Sequence, residues 1–344
     1  MAQIAVVSHG EIARAVLGSC IGLVLQHELK RTAAVAHIVL PQGQDRAGPP
    51  GKFADTAIPE MLALLAAAEG AQVVVNDLGG DEKGIGSDRG VAQQVVDEIV
   101  AAGGQAVANG SSVAEAAGAQ SIIETALNTF GRVDCVVNNA GILRDRMFHN
   151  MSHDEWDAVI KVHLYGCFNM SKAAAPYFKE QKSGSYVHYT STSGLIGNIG
   201  QANYMAAKLG IVGLSRGIAM DMARYNVRSN CIAPFAWSRL IGTIPVDTPE
   251  QAKSVELAKK ALTPEHIAPL PVFLASDAAA SVSGQIFAAR SNEIYLFSQP
   301  RVVRSAHRDG GWTPTTIAQT ALPAFKGSFS ELRPMMDFFD WDPI

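Results

Sequence analysis

From Gln72 onward the chain alternates short apolar runs with helix-like stretches, and this alternation constrains the fold more than any other feature. Gln72–Asp77, which carries Val73, Val74 and Val75, has the unbroken β-branched character of a strand buried on both faces. Arg89–Ala102 then reads as a helix closed by Gly103 and Gly104, followed by a strand at Gln105–Ala108. Ser112–Phe130 is largely helical, and Asp134–Asn138 is a strand ending in a turn. Asp154–Gln181 covers one or two helices, and Ser185–Thr190 is a strand. Tyr204–Arg224 is a long Ala-rich helix, with a further strand at Val227–Ile232. Elements in this order predict an α/β fold: a doubly wound, Rossmann-like parallel sheet with helices on both faces.

The two ends depart from that rhythm. Ala33–Leu40 is an apolar run suited to a buried strand, Pro41–Lys52 with Pro49 and Pro50 reads as a loop, and Thr56–Glu69 reads as a helix with Asp55 as its N-cap and Gly70 as its stop. With Gln72–Asp77 these would make a βαβ unit. Beyond about Tyr295 the pattern gives way to Ser, Pro and Arg and ends in Phe338, Phe339 and Trp341, an extension expected to pack on the domain or on a neighbouring subunit.

Composition narrows the functional classes. A chain of 344 residues with 48% hydrophobic and 17% charged residues is expected to be a soluble globular protein with a well-buried core. A net charge of −4 gives no general attraction to nucleic acid or to an anionic membrane. The apolar stretch Ala15–Leu25 is about half of the ~20 residues that a membrane span requires. Cys20, Cys135, Cys167 and Cys231 lie far apart with no metal-like spacing, so no metal site and a reducing, cytoplasmic setting are expected.

Ser191, Tyr204 and Lys208 form the constellation that carries chemistry. Lys208 follows Tyr204 by four residues, which puts phenol and ammonium on one helix face, a turn apart. A phenol with the ordinary pKa of ~10 exchanges protons poorly at neutral pH, and an adjacent ammonium is expected to stabilise its phenolate. Ser191, at the end of its strand, would hold the substrate oxygen while Tyr204 exchanges the proton.

The strings Thr190-Ser191-Thr192-Ser193-Gly194 and Gly200-Gln201-Ala202-Asn203-Tyr204-Met205-Ala206-Ala207-Lys208 resemble the active site of the short-chain dehydrogenases. Asn138-Asn139-Ala140-Gly141 resembles that family's turn at the end of the fourth strand, which lies against the cofactor. Val75-Asn76-Asp77-Leu78-Gly79-Gly80-Asp81 and Asn139-Ala140-Gly141-Ile142-Leu143-Arg144-Asp145 resemble in particular the 3-hydroxyacyl-CoA dehydrogenase modules of peroxisomal multifunctional enzymes. The resemblance covers residues 71–295 and implies an NAD cofactor, a small-molecule alcohol/ketone substrate and a homodimer or homotetramer. It implies Ser191, Tyr204, Lys208 and His163 as catalytic residues. It further implies Asp77, Asn139, Ala140, Gly141, Tyr204, Lys208 and Ser238 as cofactor contacts. Asp77 would bind both ribose hydroxyls and repel a 2′-phosphate, favouring NAD over NADP. His163 stands where the family has a relay asparagine; a histidine there can keep the relay, adding an inflection near pH ~6.5 to the rate profile, and a packed helix histidine that leaves the profile unchanged is the competing reading. Ser111 stands in place of an aspartate that touches the adenine.

The family opens with a strand and a Thr-Gly-x-x-x-Gly-x-Gly loop, and no such string lies between Met1 and Gly70. Gly80, Gly84 and Gly86 match by spacing but follow Asp77, and they read as a surface loop. Instead, Val16-Leu17-Gly18-Ser19-Cys20-Ile21-Gly22, Ala36-His37-Ile38-Val39-Leu40-Pro41 and Gly51-Lys52-Phe53-Ala54-Asp55-Thr56-Ala57 resemble the first half of the chemoreceptor glutamine deamidase of bacterial chemotaxis. That resemblance implies Cys20 as a nucleophile and His37 as its base, but the family's threonine has no counterpart here. The expected organisation is therefore 1–70 as an atypical, chimera-like opening, 71–295 as the dehydrogenase domain and 296–344 as a C-terminal extension. The leading functional expectation is an NAD(H)-dependent oxidoreductase on a hydroxyl/ketone pair, with a 3-hydroxyacyl thioester as one candidate. A cysteine-dependent protein-glutamine deamidase and a cofactor-deficient scaffold are the alternatives.

Overall fold

The computed structural model describes residues 70–79, 90–235, 253, 256, 261–339 and 341, together with the backbone of three strands near the N-terminus. Those three, β1 (Ile4–Ser8), β2 (Gly22–His27) and β3 (Thr32–His37), form an antiparallel sheet of their own in the order β1-β3-β2. The strand expected at Ala33–Leu40 therefore exists in part, but it does not open a parallel βαβ unit. The apolar runs of β1 and β2 flank β3 on both sides. Antiparallel pairing needs only short connections, whereas a parallel partner needs a crossover of a dozen residues or so. The expected loop Pro41–Lys52, the helix Thr56–Glu69, Cys20, the side chain of His37, the Gly80/Gly84/Gly86 spacing and Ser238 lie outside the described residues.

The parallel architecture begins with β4 (Gln72–Asn76), α1 (Gly90–Ala101) and β5 (Gln105–Asn109), the two strands pairing in parallel. Helix α1 buries Ala92, Val95, Val96 and Ile99 against Val75, the periodic stripe that amphipathic packing requires. There follow α2 (Ala116–Phe130), β6 (Cys135–Asn138), α3 (His153–Ile160), α4 (Gly166–Gln181) and β7 (Gly184–Tyr189). The chain continues through α5 (Ala202–Asp221), β8 (Val227–Phe235), α6 (Pro269–Ala275), β9 (Ile286–Arg290) and β10 (Glu293–Leu296). Strands β6 to β9 are parallel, and β10 closes the edge as an antiparallel partner of β9.

Helices cover both faces of this sheet, because successive strand residues point to opposite sides. Tyr186 faces the helices α2 and α4, packing with Ile122, Met170, Ala174 and Phe178. Its neighbour Val187 faces the other way, toward Ile267, Leu270 and Leu274. The doubly wound arrangement read from the sequence is thus present. Among the described residues β4 pairs with β5 alone and β6 with β7 alone, so the parallel strands fall into two blocks. Val74 of the first block still packs into the cluster around Ile122 and Val136, which keeps both blocks against α2. No described helix is long and apolar enough to cross a membrane.

Candidate active site

The site is built where β7 ends and α5 begins. Thr190 Oγ1 donates to the Lys208 carbonyl at 2.7 Å, and Lys208 Nζ donates to the Tyr189 carbonyl at 2.7 Å. These reciprocal bonds lock the helix to the strand end. They fix Ser191, next in chain after Thr190, relative to the Tyr204–Lys208 face. The single turn after Ser191 lies hard on α5: a Cβ on Gly194 would come 2.9 Å from Lys208 Cβ. Ser193 N–H donates to Ser191 Oγ at 3.1 Å, and the hydroxyl of Ser191 reaches the phenol of Tyr204. Lys208 Nζ lies 5.5 Å from the Tyr204 ring centre. The three residues picked out by spacing are therefore brought together.

The start of α5 is held by a second loop. Asn203 Nδ2 donates to the carbonyls of Arg144 at 2.9 Å and Glu155 at 3.0 Å, and Gln201 Nε2 donates to Asp145 at 2.7 Å. Arg146 N–H adds a backbone bond to Gly200 at 2.8 Å. Sequence reading gave no role to Asn203, Gln201 or Asp145. All three stand inside the recognised strings, but their partners are distant in sequence and no spacing rule reveals them.

His163 lies on a π-helical turn, Lys161–Tyr165, between α3 and α4. Such single-turn bulges shift side-chain direction within a helix and recur at functional sites. Its ring meets Tyr204 edge-on at 5.2 Å, and its Nε2 lies 3.1 Å from Ile142 N and 2.8 Å from Ile142 O. The contact with the Asn138–Gly141 turn is close enough that a Cβ on Gly141 would fall 2.3 Å from His163 Cε1. The buried Nδ1 has no protein partner among the described residues.

Electrostatics correct two expectations. Burial, followed by the charge of Lys208, pushes His163 down to about 3, which favours a neutral ring through the ordinary range and points away from an inflection near ~6.5. Tyr204, expected to acidify beside Lys208, is instead raised to about 12; enclosure of the phenol dominates, Asp145 adds to it, and the bond from Ser191 only partly opposes it. Burial also lowers Lys208 to about 8. With Tyr204 as the proton donor, ketone reduction would need the neutral phenol, present below about 12, and would gain from the lysine charge, present below about 8. Reduction is therefore expected to be flat at acidic to neutral pH and to decline as pH rises through about 8. His163→Asn should leave the shape of that profile unchanged. A reduction rate that rises through that range, or an inflection removed by His163→Asn, would contradict this.

The described cofactor candidates Asp77 and Asn139–Gly141 each follow the carboxyl end of a parallel strand. Asp77 follows β4, with its Oδ1 accepting from Gly79 N–H at 2.7 Å. Asn139, Ala140 and Gly141 form the turn after β6, the latter two exposed. Carboxyl ends of parallel strands are where open α/β sheets take a nucleotide, and a carboxylate that accepts from ribose hydroxyls, an ammonium that donates and an open backbone turn fit one. Ser111 is committed elsewhere: its N–H donates to Asn109 Oδ1 at 2.8 Å, and its carbonyl accepts from Asn76 Nδ2 at 3.0 Å.

A serine just past the end of a central strand, with a tyrosine and a lysine on the helix packed against it, is an arrangement suited to exchanging a proton with a hydroxyl or ketone oxygen. Comparison with known proteins agrees. Residues 51–289 match the family described as enoyl-(acyl carrier protein) reductase. A Mycobacterium tuberculosis protein described as a short-chain type dehydrogenase/reductase is 51% identical over 215 residues, covering 62% of this chain and 72% of that one. Peroxisomal multifunctional enzyme type 2 of Mus musculus is 49% identical over 213 residues, covering 62% of this chain but only 27% of its own length. The crystal structure of a short chain dehydrogenase from Mycobacterium avium superposes with a TM-score of 0.70 at 38% identity, covering 81% of this chain and 94% of that one. The chain belongs to the short-chain dehydrogenase/reductase family, and it is an oxidoreductase of the hydroxyl/ketone type. The resemblance to peroxisomal multifunctional enzymes read from the strings around Asp77 and Arg144 is borne out.

Proposed function

We propose that the protein is an NAD(H)-dependent oxidoreductase that interconverts a secondary alcohol and its ketone, with a 3-hydroxyacyl thioester as substrate class. The observation that carries the reading is the convergence of Ser191, Tyr204 and Lys208, fixed by the Thr190–Lys208 and Lys208–Tyr189 bonds. Ser191 Oγ would hold the substrate carbonyl, and the Tyr204 hydroxyl would give its proton to the same oxygen in reduction. Lys208, anchored on the Tyr189 carbonyl, keeps further N–H donors for a ribose. His163, neutral and seated on Ile142, would position the Tyr204 ring and hold the inner proton path without titrating. A bound nicotinamide supplies the hydride chemistry. In this proposal residues 71–295 are the dehydrogenase unit, 1–70 an atypical opening and 296–344 an extension. The acyl thioester is supported by the likeness of the strings at Asp77 and Asn139–Asp145 to those of the peroxisomal enzymes.

Asp77 supports NAD over NADP, since its carboxylate repels a 2′-phosphate. Fluorescence titration should show NADH binding at least about tenfold tighter than NADPH, and Asp77→Ser should erase the difference, a change of ~1.4 kcal/mol. Equal affinities in the unaltered protein would remove Asp77 from the cofactor site.

A further inference from the structure

We propose that the segment 333–341 is a strap that positions the catalytic loop, with Met335 as its positioning residue. The inference rests on the oxidoreductase reading above. After β10 the chain runs largely exposed, with Val302 88% and Leu332 101% accessible. It then turns inward and touches the body at the loop after β7 and at the end of β8.

The first contact is on the loop that follows Ser191. Met335 N–H donates to the Gly197 carbonyl at 2.9 Å, and the Arg333 carbonyl lies against Gly197. Thr192 Oγ1 donates to Met335 Sδ at 2.9 Å, and Ser193 Oγ does so at 3.5 Å. Thr192 and Ser193 are 2% and 3% exposed, so their hydroxyls need protein acceptors, and the thioether serves both. Ser193 in turn donates its N–H to Ser191 Oγ at 3.1 Å. A continuous path therefore runs from Met335 Sδ through Ser193 to the hydroxyl proposed to hold the substrate oxygen.

The second contact is on the next strand. Phe339 is buried and packs edge-on against Phe235, the last residue of β8, at 4.7 Å and against Tyr295 at 5.4 Å. Leu195 and Ile196 of the catalytic loop join the same cluster. Trp341 pins the end: its carbonyl accepts from Arg290 Nη2, and its Nε1 donates to Glu293 at 3.1 Å. One short segment thus ties the end of β8 to the loop after β7. Hydroxyl orientation at Ser191 is worth holding because misplacement of a catalytic group by about an ångström costs ~10²-fold.

Sulfur is a weak acceptor, and leucine matches its volume without accepting at all. Met335→Leu is therefore expected to lower kcat for ketone reduction about three- to tenfold with the KM for NADH unchanged, and Met335→Gln, which restores an acceptor, should recover most of it. Hydrogen exchange of the substrate-free protein gives a readout that needs no turnover. A chain ending at Ser330, and full-length Phe339→Ala, should exchange faster at the Leu195 and Ile196 amides, while amides of β7 keep their protection. Undetectable turnover in the unaltered protein would overturn the oxidoreductase reading and leave the strap to the exchange measurement. Unchanged exchange at both amides in Phe339→Ala and in the shortened chain overturns the strap. So does a Met335→Leu protein with unaltered kcat, or one that Met335→Gln does not rescue.

Discussion

Tyr204→Phe is expected to lower ketone or alcohol turnover by about 10²–10⁴-fold, the ordinary contribution of a positioned acid–base group. The substitution removes one hydroxyl and keeps the ring that meets His163 edge-on at 5.2 Å, so folding and melting temperature should barely change. Lys208→Met should cut turnover steeply as well, for a different reason. Its ammonium is buried and bonded to the Tyr189 carbonyl, and methionine would leave that carbonyl unpartnered beside the end of β7. The pair of variants thus separates chemistry from support: one loses rate alone, the other loses rate and some stability. Steady-state kinetics beside thermal melts decides it. Turnover within a factor of a few of the unaltered rate in Tyr204→Phe would end the assignment.

The second large effect concerns the opening of the chain. Replacing residues 1–70 with a strand and a Thr-Gly-x-x-x-Gly-x-Gly helix start is expected to tighten NADH binding at least about tenfold, or ~1.4 kcal/mol. Two observations motivate this. The glycine loop that brings a pyrophosphate to backbone N–H groups at a helix N-terminus is absent from the first 70 residues. Among the described residues β4 and β6 each have one unpaired edge, which is where an added parallel strand would join the two blocks. The candidate replacement between Pro41 and Asp55 carries Pro49 and Pro50, which have no N–H to offer a phosphate. Calorimetry on the two chains measures the difference directly. Equal affinities would mean that the present opening supplies phosphate contacts of its own.

Much of the parallel sheet is legible in the residues because buried parallel strands need near-continuous apolar runs. Val73–Val75, Val136–Val137 and the stretch around Tyr186–Tyr189 provide them. The catalytic trio is legible because its members are close in sequence and sit in recognisable strings. What escapes sequence reading depends on distant partners. β9 has only five residues and ends on Arg290, and β10 has only four residues with alternating exposure, so neither stands out from a loop. The run at Ala33–Leu40 declares a strand but not its direction, since an apolar run alone cannot distinguish parallel from antiparallel neighbours. The protonation of Tyr204 and His163 follows from enclosure by residues far along the chain, and a four-residue spacing carries no information about that enclosure. The return of Met335 and Phe339 to the catalytic loop is likewise a long-range contact with no local signal.

The most direct measurement is of the transferred hydride itself. The purified protein is mixed with a short 3-oxoacyl thioester and NADH deuterated at the transferring position, the cofactor in large excess so that weak binding does not hide turnover. Mass spectrometry of the product should find deuterium on the new carbinol carbon, and the same mixture with Tyr204→Phe should yield almost none. Product without deuterium, or equal labelling by the Tyr204→Phe protein, would contradict an oxidoreductase that works through the Ser191–Tyr204–Lys208 site.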